Sequence, residues 1–287
     1  MNSLRGDLRV ILQPMARSTA DLREALRVRP GTRIKLASVD PAATHGHTKE
    51  SAAEELRLGL ARLTDLQDRL WAEGKHRVLV VLQGIDASGK DGTVKHVMSA
   101  FNPMGCSVTS FKVPTSVEAA HDYLWRVHER TPGNGEIAIF NRSHYEDVLV
   151  VRVHDYVPKK VWSRRFEQIN AFERLLADEG TTILKFFLWI DRDEQKARLQ
   201  SRLDDPKKNW KFKLGDLAER KLWDDYVIAY EDVLRRCSTD HAPWYVIPAN
   251  RNWFRNLAIA DILATTLEEL DPRYPKPTED LKGVIVE

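Results

Sequence analysis

The sequence predicts an α/β fold in which a parallel β-sheet is covered by helices on both faces. Five short runs of apolar residues alternate with longer segments of helical periodicity along the 287 residues. The runs are continuously apolar, which is typical of strands buried on both faces. Strands and helices that alternate in this way indicate a sheet built from βαβ units. We therefore expect about five parallel strands sandwiched by helices, in one domain.

The predicted strands and helices follow one another in a regular order. The strands are expected over residues 78–82, 107–113, 137–140, 182–190 and 244–247. The helices that cover them are expected over residues 92–100, 117–130, 159–179, 194–203, 216–236 and 253–270. An amphipathic helix over residues 49–71 precedes the first strand, because its leucines recur at helical spacing.

The single domain, residues 1–287, divides into an extension, a core and a lid. Residues 1–75 are expected to form an irregular N-terminal extension that has a short helix near residues 22–26 and ends in the long helix. Residues 76–271 form the predicted core. Within it, a basic insert at about residues 203–215 contains the helix-stopping Pro206 and is expected to form a helical lid. The tail after Pro272 is expected to be loosely held.

Composition and charge exclude several classes of protein. The formal net charge is only +2, with 44 basic and 42 acidic residues, so no global basic field marks a nucleic-acid-binding protein. No run approaches the roughly 18 apolar residues of a membrane span. The charged N-terminus does not resemble a secretory signal, so we expect a cytoplasmic protein. Cys106 and Cys237 are not spaced like the ligands of a metal site, so we expect both to be small residues of the core.

The sequence GIDASGK, from Gly84 to Lys90, fits the pattern G-x-x-x-x-G-K between a predicted strand and a predicted helix. In such a loop, backbone N–H groups surround phosphate oxygens, and the lysine adds a positive charge. The alternative is a glycine turn that only closes the strand. The residues assigned to phosphate binding are Gly84, Ala87, Ser88, Gly89 and Lys90.

Two acidic residues accompany this loop. Asp91 stands where the usual loop has a Ser or Thr hydroxyl that binds Mg²⁺, and Asp86 lies inside the loop. A carboxylate beside phosphates is repelled unless a cation lies between them. The pair therefore indicates that these residues hold Mg²⁺ or act on the phosphoryl acceptor. The alternative for Asp91 is an acidic residue stabilised by the N-terminus of a helix.

A second group of polar residues follows the strand at residues 137–140, at the edge where open α/β sheets bind ligands. Asn141 stands at the strand end, where an acidic residue is usual, and is assigned to the binding site. Arg142 is suited to bidentate phosphate binding, while Glu146 or Asp147 is placed to contact Mg²⁺ through water. The alternative is a surface ion pair between Arg142 and Asp147.

Basic residues are concentrated in the predicted lid and in the helix before it. Arg198 and Arg202 are four residues apart, so they share one face of that helix. A positively charged lid that closes over a phosphate chain neutralises charge and excludes water. The alternative is a solvated charge run. The residues assigned to this surface are Arg198, Arg202, Lys207, Lys208 and Lys211.

Five ordered motifs stand out along the chain: GxDxxGKDG, RSHYEDVLV at residues 142–150, DPKKNWKF, WDDYVIAYEDVL and APWYVIPANRNWFRN. Together they resemble the second polyphosphate kinase family, over about residues 29–275. The resemblance implies a P-loop kinase core and a polyphosphate:nucleotide phosphotransferase that uses Mg²⁺. The expected activity is phosphoryl transfer between inorganic polyphosphate and AMP or ADP, with GMP and GDP left open, which forms ADP and ATP and suits ATP regeneration.

The resemblance also implies roles for particular residues. Lys90 is expected to hold phosphates, Asp86 to bind Mg²⁺ and activate the acceptor, and Arg142 to bind phosphate. Lys208 and Lys211 are similar to lid residues that contact polyphosphate. A further implication concerns Asn141, which stands where many members have Asp, so its contact with a metal is left open.

Glu146 is similar to the residue that distinguishes the subgroup accepting AMP as well as ADP, and it is assigned to Mg²⁺ together with Asp86. A homo-oligomer is expected. The first alternative is a conventional ATP-dependent nucleoside monophosphate kinase, which Asp91 disfavours. A nucleotide-dependent switch is a second alternative, but the sequence lacks the N/T-K-x-D segment that reads guanine.

Overall fold

The computed structural model describes residues 21–286, so the predictions made for residues 1–20 lie outside the described range. Six strands form one sheet: β1 (Arg27–Val28), β2 (Arg77–Gln83), β3 (Cys106–Ser110), β4 (Ile137–Asn141), β5 (Thr181–Trp189) and β6 (Trp244–Pro248). Their order across the sheet is β1-β6-β5-β2-β4-β3. All neighbouring pairs are parallel except β1 with β6.

Eleven α-helices lie within residues 21–286. They are α1 (Leu22–Leu26), α2 (Lys49–Glu73), α3 (Lys90–His96), α4 (Ser116–Ala119), α5 (Trp125–His128), α6 (Val150–Val153), α7 (Lys159–Asp178), α8 (Arg192–Asp204), α9 (Gly215–Lys221), α10 (Trp223–Cys237) and α11 (Asn252–Leu270). Two 3₁₀ segments matter for the site, namely His144–Asp147 and Asn209–Lys211.

The central strand is β2, which pairs with β4 on one side and β5 on the other. Every residue of β2 after Arg77 is buried, which agrees with its continuous apolar run. The predicted five-stranded parallel sheet is confirmed. The sixth strand, β1, was not predicted, since two residues are too short to show a periodic pattern.

Two of the predicted helices are interrupted. The segment predicted as one helix over residues 117–130 forms α4 and α5, because the side chain of Asp122 accepts a hydrogen bond from the backbone N–H of Leu124 and closes a local turn. The segment predicted over residues 216–236 breaks at Leu222, where φ and ψ are −90° and 16°. Trp223 then turns into the core and is only 6% exposed.

Helix α2 packs against α11, which in turn contacts β6. Thr48 caps its first turn by accepting a hydrogen bond from the N–H of Ser51, and Gly74 ends it in the left-handed conformation. Leu63 and Leu70 are fully buried within the core. The amphipathic pattern of residues 49–71 therefore reflects packing onto the chain's own core.

Regular structure ends at Leu270, and residues 272–286 form neither helix nor strand. Most of these residues are exposed to solvent, and Val286 is 94% exposed. Of the helices within residues 21–286, none combines the length and the apolar character that crossing a membrane requires.

Replacement of Leu63 by alanine tests the packing of α2 onto the core. The side chain is fully buried, so we expect a loss of about 3 kcal/mol in the free energy of unfolding from lost transfer energy and a residual cavity. Urea denaturation followed by circular dichroism measures this change. The matched control is Leu175→Ala on α7, because Leu175 is 50% exposed and its removal should change stability by less than about 0.5 kcal/mol. Equal losses in both variants would contradict the assignment.

Candidate active site

The loop of residues 84–90 follows β2 and leads into α3. Gly84 has no room for a side chain, because a Cβ there would lie 2.5 Å from Oγ of Ser88. Gly89 has φ of +106°, and a Cβ there would collide with the guanidinium of Arg255. Both positions of the motif therefore require glycine. Close packing excludes a side chain at Gly84, and both the backbone conformation and packing exclude one at Gly89.

Lys90 is the first residue of α3 and turns its side chain back into the loop. It is 8% exposed, and its Nζ donates to the carbonyl oxygen of Gly84 at 2.6 Å and of Ile85 at 3.4 Å. Burial, together with the positive charge of Arg142, lowers the pKa of Lys90 to about 8 against the opposing effect of nearby carboxylates. An ammonium group with only carbonyl partners is poised to accept an anionic ligand.

Arg142 joins two carboxylates at the carboxyl end of the sheet. Its Nη2 donates to Oδ1 of Asp86 at 2.7 Å, and its Nη1 lies 3.7 Å from Oε2 of Glu146. Gln83, the last residue of β2, donates from Nε2 to Oε1 of Glu146 at 3.0 Å. Although burial opposes it, the carboxylates of Glu146 and Asp86 raise the pKa of Arg142. Three predicted site residues thus form one connected group.

The neighbouring polar residues form separate pairs. Asn141 donates from Nδ2 to Oδ1 of Asp91 at 2.8 Å. The asparagine that stands at the strand end, where an acidic residue is usual, therefore binds the aspartate that stands in place of the usual Ser or Thr. Asp147 forms an ion pair with Arg165 at 2.8 Å. The alternative ion pair between Arg142 and Asp147 is therefore wrong, since each residue has another partner.

The backbone at Arg142 has φ of +64°, which is uncommon for a residue with a side chain. A hydrogen bond to the neighbouring strand β2 fixes this conformation, because the N–H of Arg142 donates to the carbonyl oxygen of Leu82 at 3.1 Å. Ala87, inside the phosphate loop, has φ of +66°. Such conformations persist only where the surroundings fix them, and they concentrate at functional sites.

Helix α8 supports the loop from its outer side. Arg198 donates from Nη1 to the carbonyl oxygens of Ala87 and Ser88, each at 3.0 Å. Gln195 is 2% exposed and donates to the carbonyl oxygen of Asp86 at 3.0 Å. The predicted grouping of Arg198 with the lid surface is corrected by these contacts, since its guanidinium is directed to loop carbonyls and not towards the lid.

Arg255, on α11, lies against the other side of the loop. It is 2% exposed, and its guanidinium donates to the amide oxygens of Asn252 and Asn256. Burial, with the positive charge of Arg198, lowers the pKa of Arg255 to about 10. Two arginines therefore add positive potential beside a loop that is suited to phosphate.

The basic insert between α8 and α9 exposes its lysines to solvent, namely Lys207, Lys208 and Lys211. Lys208 pairs with Asp205 at 3.0 Å, and Nζ of Lys211 lies 5.0 Å above the ring of Trp210. Arg202 lies 3.5 Å from Asp216 and contacts the carbonyl oxygen of Lys211. The insert predicted to be a lid is therefore a charged, exposed segment whose base is tied to α8 and α9.

A cavity of about 220 Å³ opens beside the loop. Its lining includes Gly84, Asp86, Arg142, Glu146, Gln195 and Tyr230. A larger cavity of about 740 Å³ lies against the N-terminal half of α7. The residues that line it include Arg126, Asp147, Lys160 and Arg165. The structure thus brings Asp86, Arg142 and Glu146 to one cavity, and it leaves the lid lysines outside its lining.

The first cavity has two acidic residues that suit Mg²⁺. Within residues 21–286, no group of three or more His, Cys, Asp or Glu side chains is arranged to hold a metal ion. Asp86 and Glu146 do both line the same cavity. Because Mg²⁺ takes one or two carboxylates together with substrate phosphates and water, these residues fit an ion bound with a phosphate substrate.

The parallel sheet, the glycine-containing loop after its central strand and the buried lysine that follows define an α/β protein of the P-loop kinase fold. Residues 46–275 match the family described as Polyphosphate kinase 2 (PPK2), and the chain belongs to this family. The family and fold predicted from the motifs are confirmed.

Two curated relatives are similar over most of the chain. AMP/ADP-polyphosphate phosphotransferase of Meiothermus ruber is 55% identical over 263 residues, which cover 91% of this chain and 98% of the relative. ADP-polyphosphate phosphotransferase of Rhodopseudomonas palustris is 43% identical over 268 residues, which cover 88% and 92%. The crystal structure of Polyphosphate Kinase 2 from Arthrobacter aurescens superposes with a TM-score of 0.87 at 45% identity, covering 90% of this chain and 93% of that one.

Sequence reasoning missed three residues of the site. Gln83 donates a hydrogen bond to Glu146 and is a polar residue at the end of an apolar strand. Its place at the strand end could have indicated that it belongs to the site. Gln195 and Arg255 carry no such signal, because their contacts with the loop arise from the packing of distant helices. Arg255 does lie within one of the five motifs, APWYVIPANRNWFRN, but the motif gives it no role.

The depressed pKa of Lys90 predicts a pH dependence for nucleotide binding. Its positive charge is present below about pH 8 and is lost as the pH rises through that value. We expect the affinity for ADP to fall about tenfold between pH 7 and pH 9, with proton uptake on binding above pH 8. Isothermal titration calorimetry in buffers of different ionisation enthalpy measures both effects. Lys90→Met, which has no charge to lose, is the control. A dissociation constant for the wild-type protein that is flat across this range would contradict the prediction.

Proposed function

We propose that this protein is a polyphosphate-dependent nucleotide kinase, which transfers phosphoryl groups between inorganic polyphosphate and AMP or ADP to form ADP or ATP. The observation that carries the proposal is the group of Lys90, Asp86, Arg142 and Glu146 at one edge of the sheet, in a member of the PPK2 family. Such a group binds phosphates and balances the charge of a transferred phosphoryl group with little covalent chemistry from the protein.

Each member of the group has a proposed role. Lys90 and the backbone N–H groups of residues 84–90 bind phosphate oxygens. Arg142 gives up part of its contact with Asp86 to bind the phosphoryl group in transfer, because a phosphate offers it a stronger bidentate partner. Asp86, once released, is free to orient the attacking phosphate oxygen of the acceptor. Gln195 and Arg198 keep the loop in place during the reaction.

Asp86 and Glu146 are the proposed ligands of Mg²⁺. When bound there with substrate, the ion would neutralise phosphate charge and orient the phosphate chain. Glu146 keeps its orientation through Gln83, whose amide donates to it at 3.0 Å. The side-chain amide of Asn141 donates a hydrogen bond to Asp91, so we propose that Asn141 positions that carboxylate and does not bind the metal.

The exposed lysines of the lid are proposed to contact the polyphosphate chain, together with Arg202. Polyphosphate carries about one negative charge per phosphate, so its binding should release counterions and weaken with salt, by analogy with nucleic-acid backbones. A local basic surface on a protein with a net charge of only +2 is sufficient for such binding. We propose residues 76–271 as the catalytic core and residues 203–215 as its lid.

The conventional ATP-dependent monophosphate kinase is the weaker candidate. Asp91 occupies the position where such enzymes bind Mg²⁺ through a hydroxyl, and its carboxylate is held by Asn141. The relatives from Meiothermus ruber and Rhodopseudomonas palustris are both named polyphosphate phosphotransferases. Guanine nucleotides as acceptors, a homo-oligomer and a cytoplasmic location stay predictions.

An assay with purified protein, Mg²⁺, long-chain polyphosphate and either AMP or ADP tests the proposed function. We expect ADP from AMP and ATP from ADP, measured by chromatography. Lys90→Ala and Asp86→Asn should each lower the rate at least about a hundredfold, because each removes a group that acts on phosphate. Their circular dichroism spectra should stay unchanged. The matched control is Asp225→Asn, an exposed acid on α10, which should retain full activity.

Three outcomes of this assay would contradict the assignments. Product formation no greater than that of Lys90→Ala would exclude the polyphosphate-dependent activity. Phosphoryl transfer from ATP to a monophosphate without polyphosphate would favour the conventional kinase. Wild-type turnover by Asp86→Asn would overturn the role proposed for Asp86 alone.

The lid is tested by the double variant Lys208→Ala/Lys211→Ala. Removing two charges from the proposed polyphosphate contact should raise the KM for long polyphosphate about tenfold at low salt and leave the KM for ADP nearly unchanged. The difference should shrink as salt is added, because screening weakens the same contacts. Lys75→Ala is the control, since Lys75 is an exposed lysine that lies after α2 and pairs with Glu73. Equal changes in both KM values would contradict a polyphosphate-specific lid.

A further inference from the structure

A buried cluster of charged and polar side chains lies behind the site. Glu173 on α7 and Lys185 on β5 have fully buried side chains, and Tyr145 and His144 are at most 1% exposed. The roles proposed for phosphate binding and transfer use none of these four residues. Charged side chains are almost never fully buried unless they are paired, so the cluster calls for an explanation.

The cluster is closely hydrogen bonded. Nζ of Lys185 donates to Oε2 of Glu173 at 2.5 Å, to the hydroxyl oxygen of Tyr145 at 2.8 Å and to the carbonyl oxygen of Cys237 at 2.6 Å. The other oxygen of Glu173 accepts from the Tyr145 hydroxyl at 2.8 Å and lies 3.2 Å from Nε2 of His144. All three protons of the ammonium group therefore have a partner.

The charges within the cluster stabilise one another. Burial alone would raise the pKa of Glu173, but Lys185 and His144 outweigh it, and the net result is a lowered pKa. The carboxylate therefore stays ionised in the folded protein at neutral pH. An ionised pair fixes the direction of every hydrogen bond that it makes to Tyr145 and His144.

Two of the four residues belong to the turn that carries the site. The 3₁₀ segment His144–Asp147 holds His144 and Tyr145 on its buried side, while Glu146 lines the cavity beside the phosphate loop. Arg142, with φ of +64°, lies just before this segment. Ser143 links the two parts, because its Oγ accepts from the N–H of Tyr145 at 3.2 Å.

Stability alone is a weak reason for a buried ion pair. Replacing such a pair by apolar residues of similar volume is often neutral or stabilising, because desolvation offsets the attraction between the charges. A polar cluster does fix one orientation of the segment it binds, which apolar packing leaves less defined. The strained backbone of Arg142 also needs surroundings that hold it.

We infer that Glu173 and Lys185 are positioning residues for catalysis: through Tyr145 and His144 they fix the turn that aims the Arg142 guanidinium and the Glu146 carboxylate at the substrate phosphates. The inference rests on the proposed function for its kinetic consequence. It concerns the geometry of residues 142–146, which is also measurable without turnover.

The test uses the full chain with the double variant Glu173→Leu/Lys185→Met, which removes both charges together and leaves no unpaired ion. We expect a folded protein with a melting temperature near that of the wild type and a kcat at least tenfold lower. The KM for ADP should change less than kcat, since misplaced transfer groups affect the transition state more than binding. A folded double variant with wild-type kcat would overturn the inference.

Tyr145→Phe provides a second, milder test. It removes the one hydroxyl that both Glu173 and Lys185 contact, and it keeps the ring against Trp244. We expect kcat to fall three- to tenfold, and this variant decides the matter if the double variant does not fold. Wild-type kcat in Tyr145→Phe would then overturn the inference.

Thr266→Val is the control for a lost buried hydrogen bond. The Thr266 hydroxyl donates to the carbonyl oxygen of Ile262 within α11, remote from the turn. This variant should keep the wild-type kcat, so an equal loss of activity here would attribute the effect to general destabilisation and overturn the inference.

Crystal structures of the double variant separate this inference from the proposed function. If wild-type protein transfers no phosphoryl group, the proposed function fails, but the positions of Arg142 and Glu146 are still measurable. We expect the pairs Arg142–Asp86 and Gln83–Glu146 to be broken or displaced in the variant. An unchanged turn, with both pairs intact, would overturn the positioning role.

Discussion

The buried ammonium group of Lys90 is the constraint on which the site depends. It lies inside the loop that it serves, with carbonyl oxygens as its hydrogen-bond partners, and burial lowers its pKa to about 8. Removing a charge from water is unfavourable unless the protein or a ligand compensates for it. The protein compensates only in part. A phosphate ligand would complete the compensation, and this is the physical basis for the proposal that the loop binds an anion.

The surroundings of the loop follow from that constraint. Gly84 and Gly89 allow the backbone to close around the site, while Arg198 and Gln195 hold the outward-facing carbonyl groups. Arg255 adds a second buried cation whose hydrogen-bond partners are neutral amides. The loop is thus held on both sides without a ligand, and pre-organisation of this kind lowers the reorganisation needed during phosphoryl transfer. Lys207, Lys208 and Lys211 of the insert, in contrast, are exposed to solvent, which agrees with the proposal that they contact a phosphate chain.

The sequence was informative wherever a pattern is local. Continuous apolar runs predicted the parallel strands, and the loop pattern placed Lys90 between β2 and the next helix, although that helix, predicted from residue 92, begins at Lys90 itself. Local patterns fail where packing decides the outcome. The four-residue spacing put Arg198 and Arg202 on one helix face, but Arg198 turns to the loop because α8 packs beside it. The two-residue strand β1 was invisible for a similar reason, since its pairing with β6 is set by distant residues.

The two halves of the site are held by different kinds of interaction. The phosphate loop is held by neutral amides and cations that donate to its carbonyl oxygens, which keeps positive potential near the ligand. The turn at residues 142–146 is contacted from behind by a hydrogen-bonded set of charged and polar groups around Glu173. A net positive cluster there would compete with Arg142 for phosphate, whereas a paired cluster fixes the turn without adding charge to the cavity. Under the proposed function, the pairing of Lys185 with Glu173 would leave the positive charge of Arg142 to face the substrate from this side of the sheet.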